Sequence, residues 1–256
     1  MGIVKTQGLV IKEINVGEAD KIITLFTRHK GKLQASARGA RRPKSNLIAG
    51  TQFLCYSDFV LYKGKNMYRV SQSEVIESFF NIRSSIERLS YATYFVEIAS
   101  EVIAEGYQND KVLKLLLNTL HMLSNTSKEH LLLKIVYEFR LMSIIGYAPN
   151  LVGCTNCGHE SEGMYFNSNV GGLVCKKCLK NMKNRNNIAL SDGALQAMRY
   201  ILYSEQNKIF SFQVSNKILN ELDSIAQDFI LTHIGKEFKT LKYLNNILDL
   251  HKTGKS

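Results

Sequence analysis

The sequence contains no stretch of about eighteen or more apolar residues, the length that a membrane-spanning helix requires. Its N-terminus also lacks the charged leader, apolar run and small-residue cleavage site of a secretory signal. We therefore expect a cytoplasmic protein with no membrane partner. With 256 residues, of which 45% are hydrophobic, the chain can bury a sizeable core and form more than one domain.

Recognisable catalytic motifs are absent as well. The chain has no His-Glu-x-x-His, no Gly-x-Ser-x-Gly and no Gly-x-Gly-x-x-Gly sequence. Carboxylates occur along the predicted helices, where they are typical of solvated helix faces. We therefore expect a protein that is not an enzyme. A nuclease would need a site for catalytic magnesium, and the sequence supplies none that can be recognised.

Acidic residues are missing from two long segments of a chain whose net charge is +11. A solvated protein face would have acids among its bases to limit self-repulsion, so these two segments favour binding to phosphates. Between residues 21 and 57 the charged side chains are Lys21, Arg28, Lys30, Lys32, Arg38, Arg41, Arg42 and Lys44. Between residues 163 and 191 they are Lys176, Lys177, Lys180, Lys183 and Arg185.

Residues 1–80 predict a small β-barrel domain. Five short segments rich in apolar, β-branched and aromatic residues are separated by turn residues such as Gly31 and Gly64. Gly39, Pro43 and Gly50 argue against a regular element throughout the connection between the third and fourth strands. Five strands in so short a segment fit an OB-fold, a barrel that binds nucleic acids, and fit an SH3-like barrel nearly as well.

Residues 81–256 predict a second, helical domain, because the apolar residues there recur at a period of about 3.6. The sequence from Ser84 to Glu87 has the form of a capping box, and Asp110 and Ser127 are candidate N-caps of the next two helices. Two further amphipathic helices are expected within residues 191–204 and 215–235. The predicted fold class is therefore α+β with more than one domain.

Four of the five cysteines form two Cys-x-x-Cys pairs, Cys154 with Cys157 and Cys175 with Cys178. Their spacing is typical of a zinc site with four thiolate ligands. Disulfides are the competing interpretation, but a chain without a secretory signal is expected in a reducing compartment. A thioredoxin-like redox motif would need only one pair and a βαβ context that this region lacks. We therefore predict a zinc ribbon at about residues 150–182.

The predicted zinc ion is structural, because four thiolates close the tetrahedron and leave no position for substrate. Gly158, Gly171 and Gly172 permit the tight turns that such a ribbon needs. His159 follows the first pair and is expected to be an exposed turn residue. The fifth cysteine, Cys55, lies in an apolar strand and is expected to be buried.

Taken together, these segments resemble the RecO family of bacterial DNA repair and recombination proteins. The resemblance covers essentially the whole chain and is most specific in ARGARRPKS (residues 37–45), VSQSEVIESF (residues 70–79) and the cysteine block. It implies an N-terminal OB-fold, a helical domain that carries zinc, and a function without a covalent step. Members of the family bind single- and double-stranded DNA and anneal complementary strands. They work with the partner RecR, and contact the acidic tail of single-strand-binding protein, to load the RecA recombinase.

For the DNA contacts we predict all eight cations of the first basic segment, with Lys176, Lys177 and Lys180 as a second patch. Nearby aromatic residues can stack on bases, although the strands of so small a barrel bury most of their aromatic side chains. The candidates are Phe53, Tyr56, Phe59 and Tyr68. An RNA-binding accessory factor of translation or transcription remains the alternative, since an OB-fold and a zinc ribbon also occur together there.

Overall fold

The structure is a computed structural model that describes residues 2–160, 163–182 and 187–253. The chain divides into two compact units. One runs from the N-terminus to Asn125 and includes the chain from Leu244 onward, and the other runs from Thr126 to Tyr243. The predicted domain boundary at residue 80 follows the last strand of the barrel described below, and as a domain boundary it stays a prediction.

The first unit begins with a closed five-stranded barrel. Its strands are β1 (Ile3–Val16), β2 (Asp20–Thr27), β3 (Gly31–Ala37), β4 (Tyr56–Lys63) and β5 (Tyr68–Glu77). They are ordered β1-β2-β3-β5-β4, and β1 pairs with β4 to close the barrel. All pairs are antiparallel except β3 with β5. This is the arrangement of an OB-fold, so the OB-fold prediction is confirmed and the SH3-like alternative is set aside.

The barrel core follows from the alternation of side chains along each strand. Ile23 and Leu25 of β2 point inward and pair with Ala35 and Leu33 of β3, which also belong to the core. The residues between them face outward and remain partly or fully accessible. Residues 38–55, which join β3 to β4, contain turns but no helix or strand. The irregular connection predicted from Gly39, Pro43 and Gly50 is confirmed, and it extends to the start of β4 at Tyr56.

Three helices follow the barrel in the first unit: α1 (Phe80–Arg83), α2 (Ile86–Val102) and α3 (Asp110–Asn125). Two of the predicted caps are displaced by one residue. Ser85, rather than Ser84, caps α2 by accepting a hydrogen bond from the Arg88 amide, because Ser84 ends α1 and donates to the Asn81 carbonyl. Asn109, rather than Asp110, caps α3 by accepting from the Val112 amide.

The second unit consists of helices and a small three-stranded sheet. Its elements are α4 (His130–Ile144), β6 (Tyr165–Asn167), β7 (Gly172–Val174), α5 (Lys176–Leu179), β8 (Asn187–Ala189), α6 (Asp192–Tyr203) and α7 (Asn216–Ile234), and α8 (Lys239–Thr253) contains the boundary at Leu244. α4 starts later than Ser127 predicts, and its N-cap Glu129 makes no side-chain capping bond. Ser191 and Ser215 cap α6 and α7 through their hydroxyl oxygens. Among the described helices, none is long and apolar enough to cross a membrane.

A buried ion pair joins α4 to α7. Lys134 is 1% exposed, and its ammonium lies 2.9 Å from a carboxylate oxygen of Glu138 and 2.6 Å from one of Asp223. Burial lowers the pKa of Lys134, but the two carboxylates outweigh it and raise that pKa overall. An apolar contact attaches the ribbon to α7, because Phe166 of β6 meets Phe229 edge to face, with ring centroids 5.6 Å apart.

Candidate metal centre and nucleic-acid interface

The fold brings the four cysteines of the two Cys-x-x-Cys pairs together. The sulfur atoms of Cys154, Cys157, Cys175 and Cys178 all lie within 4.8 Å of one another. The Sγ atoms of Cys157 and Cys175 are 3.8 Å apart, too far for a disulfide, whose sulfurs are about 2.05 Å apart. A tetrahedron with metal–sulfur bonds of about 2.3 Å has edges of about 3.8 Å. The four sulfurs therefore form a group that can hold a metal ion.

Backbone hydrogen bonds shape the first cysteine pair into a knuckle. The Gly158 amide donates to the Cys154 carbonyl at 2.7 Å, and the Cys154 amide donates to the His159 carbonyl at 3.0 Å. Gly158 has a φ of +72°, a left-handed conformation that favours glycine. The second pair begins at the end of β7, where Cys175 precedes α5 and its carbonyl accepts from the Leu179 amide at 3.0 Å.

The close approach of two chain segments holds the knuckles side by side. The Asn150 carbonyl accepts from the Leu173 amide at 3.1 Å, and the Thr155 amide donates to the Leu173 carbonyl at 2.7 Å. A Cβ atom at Gly172 would lie 2.6 Å from the Asn150 carbonyl oxygen. Only glycine fits at this position, which explains the second of the two adjacent glycines before the Cys175 pair.

The electrostatics of the cluster favour thiolates at its buried side. Burial raises the pKa of Cys154, but amide groups directed at its sulfur, first that of Cys175 at 3.3 Å, lower it to about 6. For Cys178 the Asn156 side chain lowers the pKa, yet the neighbouring thiols of Cys157 and Cys175 raise it overall. A bound cation would remove this effect of the neighbouring thiols on Cys178, because metal binding replaces the protons of thiol ligands.

The other sulfur and imidazole candidates stay outside the cluster. His159 is exposed, as predicted, and within the described residues the potential metal-binding group consists of the four cysteines alone. Cys55 is 1% exposed, so its predicted burial is confirmed, and burial raises the pKa of its thiol. Its predicted place in a strand is wrong, because β4 begins one residue later at Tyr56.

The first basic segment does not form a single patch. Its cations lie at the two ends of β3, which spans about 20 Å at about 3.3 Å per residue. At the β2–β3 turn the cations are partly engaged within the first unit. The Lys32 ammonium donates to the Ser100 carbonyl at 2.9 Å, and the Arg28 guanidinium lies 3.5 Å from a carboxylate oxygen of Asp110. Lys30 is exposed at the same turn.

The remaining cations of the segment, apart from Lys21 on β2, follow the other end of β3, in a loop that we call the 38–44 loop. Three hydrogen bonds fasten it to the start of β2 and the β1–β2 turn. Asp20 accepts from the Gly39 amide at 2.7 Å, and Arg41 donates from its amide to Ala19 and from its guanidinium to the Gly17 carbonyl. Exposed cations of the loop without a side-chain partner among the described residues are Arg38, Arg42 and Lys44.

Lys21 differs from the other candidates in its environment. Its side chain is 11% exposed, and its ammonium lies 3.0 Å from a carboxylate oxygen of Glu13. The same oxygen accepts from the Phe53 amide at 3.2 Å. Lys21 therefore lies in a partly buried ion pair, where its charge is already balanced.

Strand pairing adds cations that the sequence analysis did not select. Ser36 of β3 pairs with Arg69 of β5, which places the β4–β5 hairpin beside the second half of β3. On β1, Lys12 pairs with Thr24 of β2, which pairs in turn with Gln34 of β3. The additional exposed cations are Lys12, Lys63, Lys65 and Arg69. They are scattered in sequence, so only the sheet register could reveal them.

The predicted aromatic residues contribute less than expected. Phe59 is 1% exposed and belongs to the barrel core, so it cannot stack on a base. Tyr68 is partly buried against the same core. Phe53 and Tyr56 are partly buried, and the Tyr56 hydroxyl donates to the Gln7 side chain at 3.1 Å.

The second basic patch lies beside the metal centre. Lys176, Lys177 and Lys180 are exposed on and just after α5, the short helix that contains Cys178. Lys183 and Arg185, the other two cations of the second basic segment, lie outside the described residues.

Two family profiles match the chain. The profile "Recombination protein O N terminal" matches residues 1–79, and "Recombination protein O C terminal" matches residues 83–242. The curated DNA repair protein RecO of Acetivibrio thermocellus is 46% identical over 248 residues, which are 96% of this chain and 98% of that protein. Proteins of the same name from Alkaliphilus metalliredigens and a Thermoanaerobacter species are 34% and 33% identical, over 96% and 98% of this chain and 100% of each relative.

Proposed function

The chain belongs to the RecO family of DNA repair proteins, and on that premise we propose that it is a recombination mediator that binds single- and double-stranded DNA and anneals complementary strands without ATP. The observation that carries the proposal is the set of free cations around one face of the OB-fold. OB-folds bind nucleic acids on strands 2 and 3, between the β1–β2 and β4–β5 connections. Here the 38–44 loop is fastened to the first connection, Lys63 immediately precedes the second, and Lys65 lies within the second.

Each cation of this face can neutralise one phosphate and release a counterion, which gives affinity without reading sequence. The largest contribution to DNA affinity should come from Arg38, Arg42 and Lys44, because they are exposed and have no competing carboxylate among the described side chains. Arg28, Lys30 and Lys32 contribute less, because they lie at the far end of β3 and two of them are engaged. We leave Lys21 out, because Glu13 balances its charge.

Annealing requires no covalent step. Two complementary strands repel each other through their phosphates, and a cationic surface lowers that repulsion while it raises their local concentration. The residues of the barrel face bind and orient the strands, and base pairing supplies the free energy. We therefore propose a protein that is not an enzyme.

We propose one structural zinc ion in the four-cysteine cluster. The donor set and the tetrahedral spacing of its sulfurs fit zinc, whose chemistry here is to cross-link the two knuckles. Zinc with four thiolates carries a charge of about −2. Lys176, Lys177 and Lys180 lie next to that charge and partly offset it, so we expect the second patch to bind phosphates more weakly than the first.

We propose for this chain the partners known for the family. These are a RecR-type protein, the acidic C-terminal tail of single-strand-binding protein and, indirectly, the RecA recombinase. Membership of a DNA repair family supports these partners and a cytoplasmic site of action near DNA. The acidic tail is chemically suited to a chain of net charge +11.

The proposal is tested by equilibrium binding of the zinc-loaded protein to fluorescein-labelled single-stranded DNA, duplex DNA and a structured RNA of equal length. We expect both DNA forms to bind without ATP, with affinities that fall as salt rises. Metal analysis should find one zinc per chain. A clear preference for structured RNA would instead support an accessory factor of translation or transcription, and would contradict the proposal.

A further inference from the structure

One row of outward-facing side chains crosses all five strands of the barrel. The strand registers connect its members in sequence, each directly opposite the next on a neighbouring strand. From the second half of β1 around to its first half, the row consists of Ile14, Ile22, Ser36, Arg69, Tyr62 and Ile3.

The orientation of the row is fixed by its neighbours. Leu61 and Val70, which precede Tyr62 on β4 and follow Arg69 on β5, pair with each other and are 0% and 3% exposed. Because side chains alternate along a strand, Tyr62 and Arg69 must point away from the core. Tyr62 is 37% exposed and Arg69 is exposed, in agreement with this orientation.

The row combines apolar surface with positive charge. Ile14 is 47% exposed and Ile3 is 57% exposed, so both ends present apolar side chains to solvent. No member of the row carries a carboxylate. Within the part of the chain that the structure describes, the Arg69 guanidinium has no hydrogen-bond or ion-pair partner, and neither has the Tyr62 hydroxyl. Both side chains are therefore free to engage a ligand.

A directly opposed aromatic ring and guanidinium suit a nucleotide. Opposed residues of an antiparallel pair have Cα atoms about 4.5–5.5 Å apart, so a base stacked on Tyr62 would bring its phosphate within reach of Arg69. Ser36 pairs with Arg69 on the other side, and β3 ends one residue later at Ala37, where the 38–44 loop begins. The row thus continues into the cations of the 38–44 loop.

We propose that Tyr62 is the stacking platform for a base of single-stranded DNA and that Arg69 holds the adjoining phosphate. This inference rests on the proposed function, and assigns a single-strand subsite within it. Bases of a duplex are already stacked on one another and cannot lie on the ring. Tyr62 therefore separates single-stranded from duplex binding, whereas the surrounding cations serve both.

The absence of tryptophan from the chain makes a direct test available. In the variant Tyr62→Trp, the single indole reports stacking by quenching of its fluorescence. The matched control is Tyr203→Trp, at an exposed tyrosine that ends α6 in the second unit. We expect oligo(dT) to quench the first indole and leave the second unchanged, and we expect duplex DNA to quench neither. Absence of quenching in a Tyr62→Trp protein that binds oligo(dT) would overturn the proposal.

Affinity measurements supply the second readout. Tyr62→Ala should weaken single-stranded DNA binding about 5-fold to 140-fold, the range expected for loss of one base–aromatic stack, and should leave duplex binding unchanged. Tyr62→Phe should bind as the wild type does, because it keeps the ring. With an abasic oligonucleotide, wild type and Tyr62→Ala should bind alike. Since Tyr62 lies outside the core, matching thermal unfolding of the variants is expected and should be checked.

The outcomes separate this inference from the proposed function. If wild type binds single-stranded DNA and Tyr62→Ala binds it equally well, the stacking role is wrong and DNA binding stands. If Tyr62→Ala weakens the binding of duplex DNA and of the abasic oligonucleotide as much as the binding of normal single strands, the ring does not stack on a base. The proposal is also wrong in that case. If the zinc-loaded wild type binds no DNA, both fail together.

Discussion

Removal of the free cations of the 38–44 loop should lower the salt dependence of DNA binding by a predictable amount. The variant replaces Arg38, Arg42 and Lys44 with Gln, which removes three positive charges and introduces no repulsion. These side chains are exposed, so the effect on folding should stay within about 0.5 kcal/mol. Arg41 is left in place because its guanidinium donates to the Gly17 carbonyl and helps to fasten the loop.

The magnitude follows from counterion release. Each phosphate contact with a single strand contributes about 0.7 to the slope of log affinity against log salt, so three lost contacts should reduce that slope by about 2. A fourfold rise in salt should then weaken wild-type binding about 20-fold more than binding of the variant. For duplex DNA, at about 0.9 per contact, the slope should fall by about 2.7.

The assay is fluorescence anisotropy with a labelled oligonucleotide, titrated with protein at several salt concentrations. The control variant replaces Lys111, Lys217 and Lys239 with Gln. It removes the same number of exposed charges, from the start of α3, α7 and α8, none of which is a candidate DNA contact. We expect the control to keep nearly the wild-type slope. Equal slopes for wild type and the loop variant, or equal losses in both variants, would refute the assignment of DNA binding to this loop.

Three further predictions concern the second unit. Replacing Cys154 and Cys175 with Ser should abolish zinc binding and lower the unfolding temperature, because the apparent free energy of structural zinc binding is about 10–16 kcal/mol in small zinc peptides. A variant that still contains one zinc per chain and has an unchanged melting curve would contradict this prediction. In the metal-free protein, the Cys154 thiolate should stabilise the ribbon fully above its ordinary pKa of 9.0, and this contribution is lost as the pH falls through about 6. The free energy of unfolding of the metal-free protein should therefore decrease from about pH 9 to about pH 6, and a value independent of pH over this range would argue against a stabilised Cys154 thiolate. Replacing Lys134 with Met should lower the free energy of unfolding in urea by about 3–5 kcal/mol, because the carboxylates of Glu138 and Asp223 lose the cation that they share. A decrease below about 1 kcal/mol would show that the carboxylates find other partners.

The elements with strong local signals were predictable from the sequence. Alternating apolar residues and glycine-containing turns indicated the five strands, and the spacing of the two cysteine pairs indicated that their sulfurs would meet. Helix caps were less predictable, because adjacent residues compete for the role. Ser84 and Ser85 both have capping side chains, and the end of α1 at Ser84 decides between them.

The arrangement of the candidate DNA-binding surface could not be predicted from the sequence, because it depends on strand register. Arg28 and Arg38 belong to one acid-free segment, yet β3 separates them. Arg69, outside that segment, joins the surface only because it pairs with Ser36. The sequence also could not show which aromatic side chains of a strand face solvent. Phe59 and Tyr62 lie on one strand, and only the inward direction of Leu61 shows which of the two faces solvent.

The measurement that tests the central claim most directly is the rate at which the zinc-loaded protein anneals complementary DNA strands coated with single-strand-binding protein, followed by fluorescence without ATP. We predict a marked acceleration that the Arg38, Arg42 and Lys44 variant loses and the Lys111, Lys217 and Lys239 control retains. No acceleration by folded, zinc-loaded wild type would contradict the account. Equal acceleration by the loop variant would show that annealing does not depend on this face of the barrel.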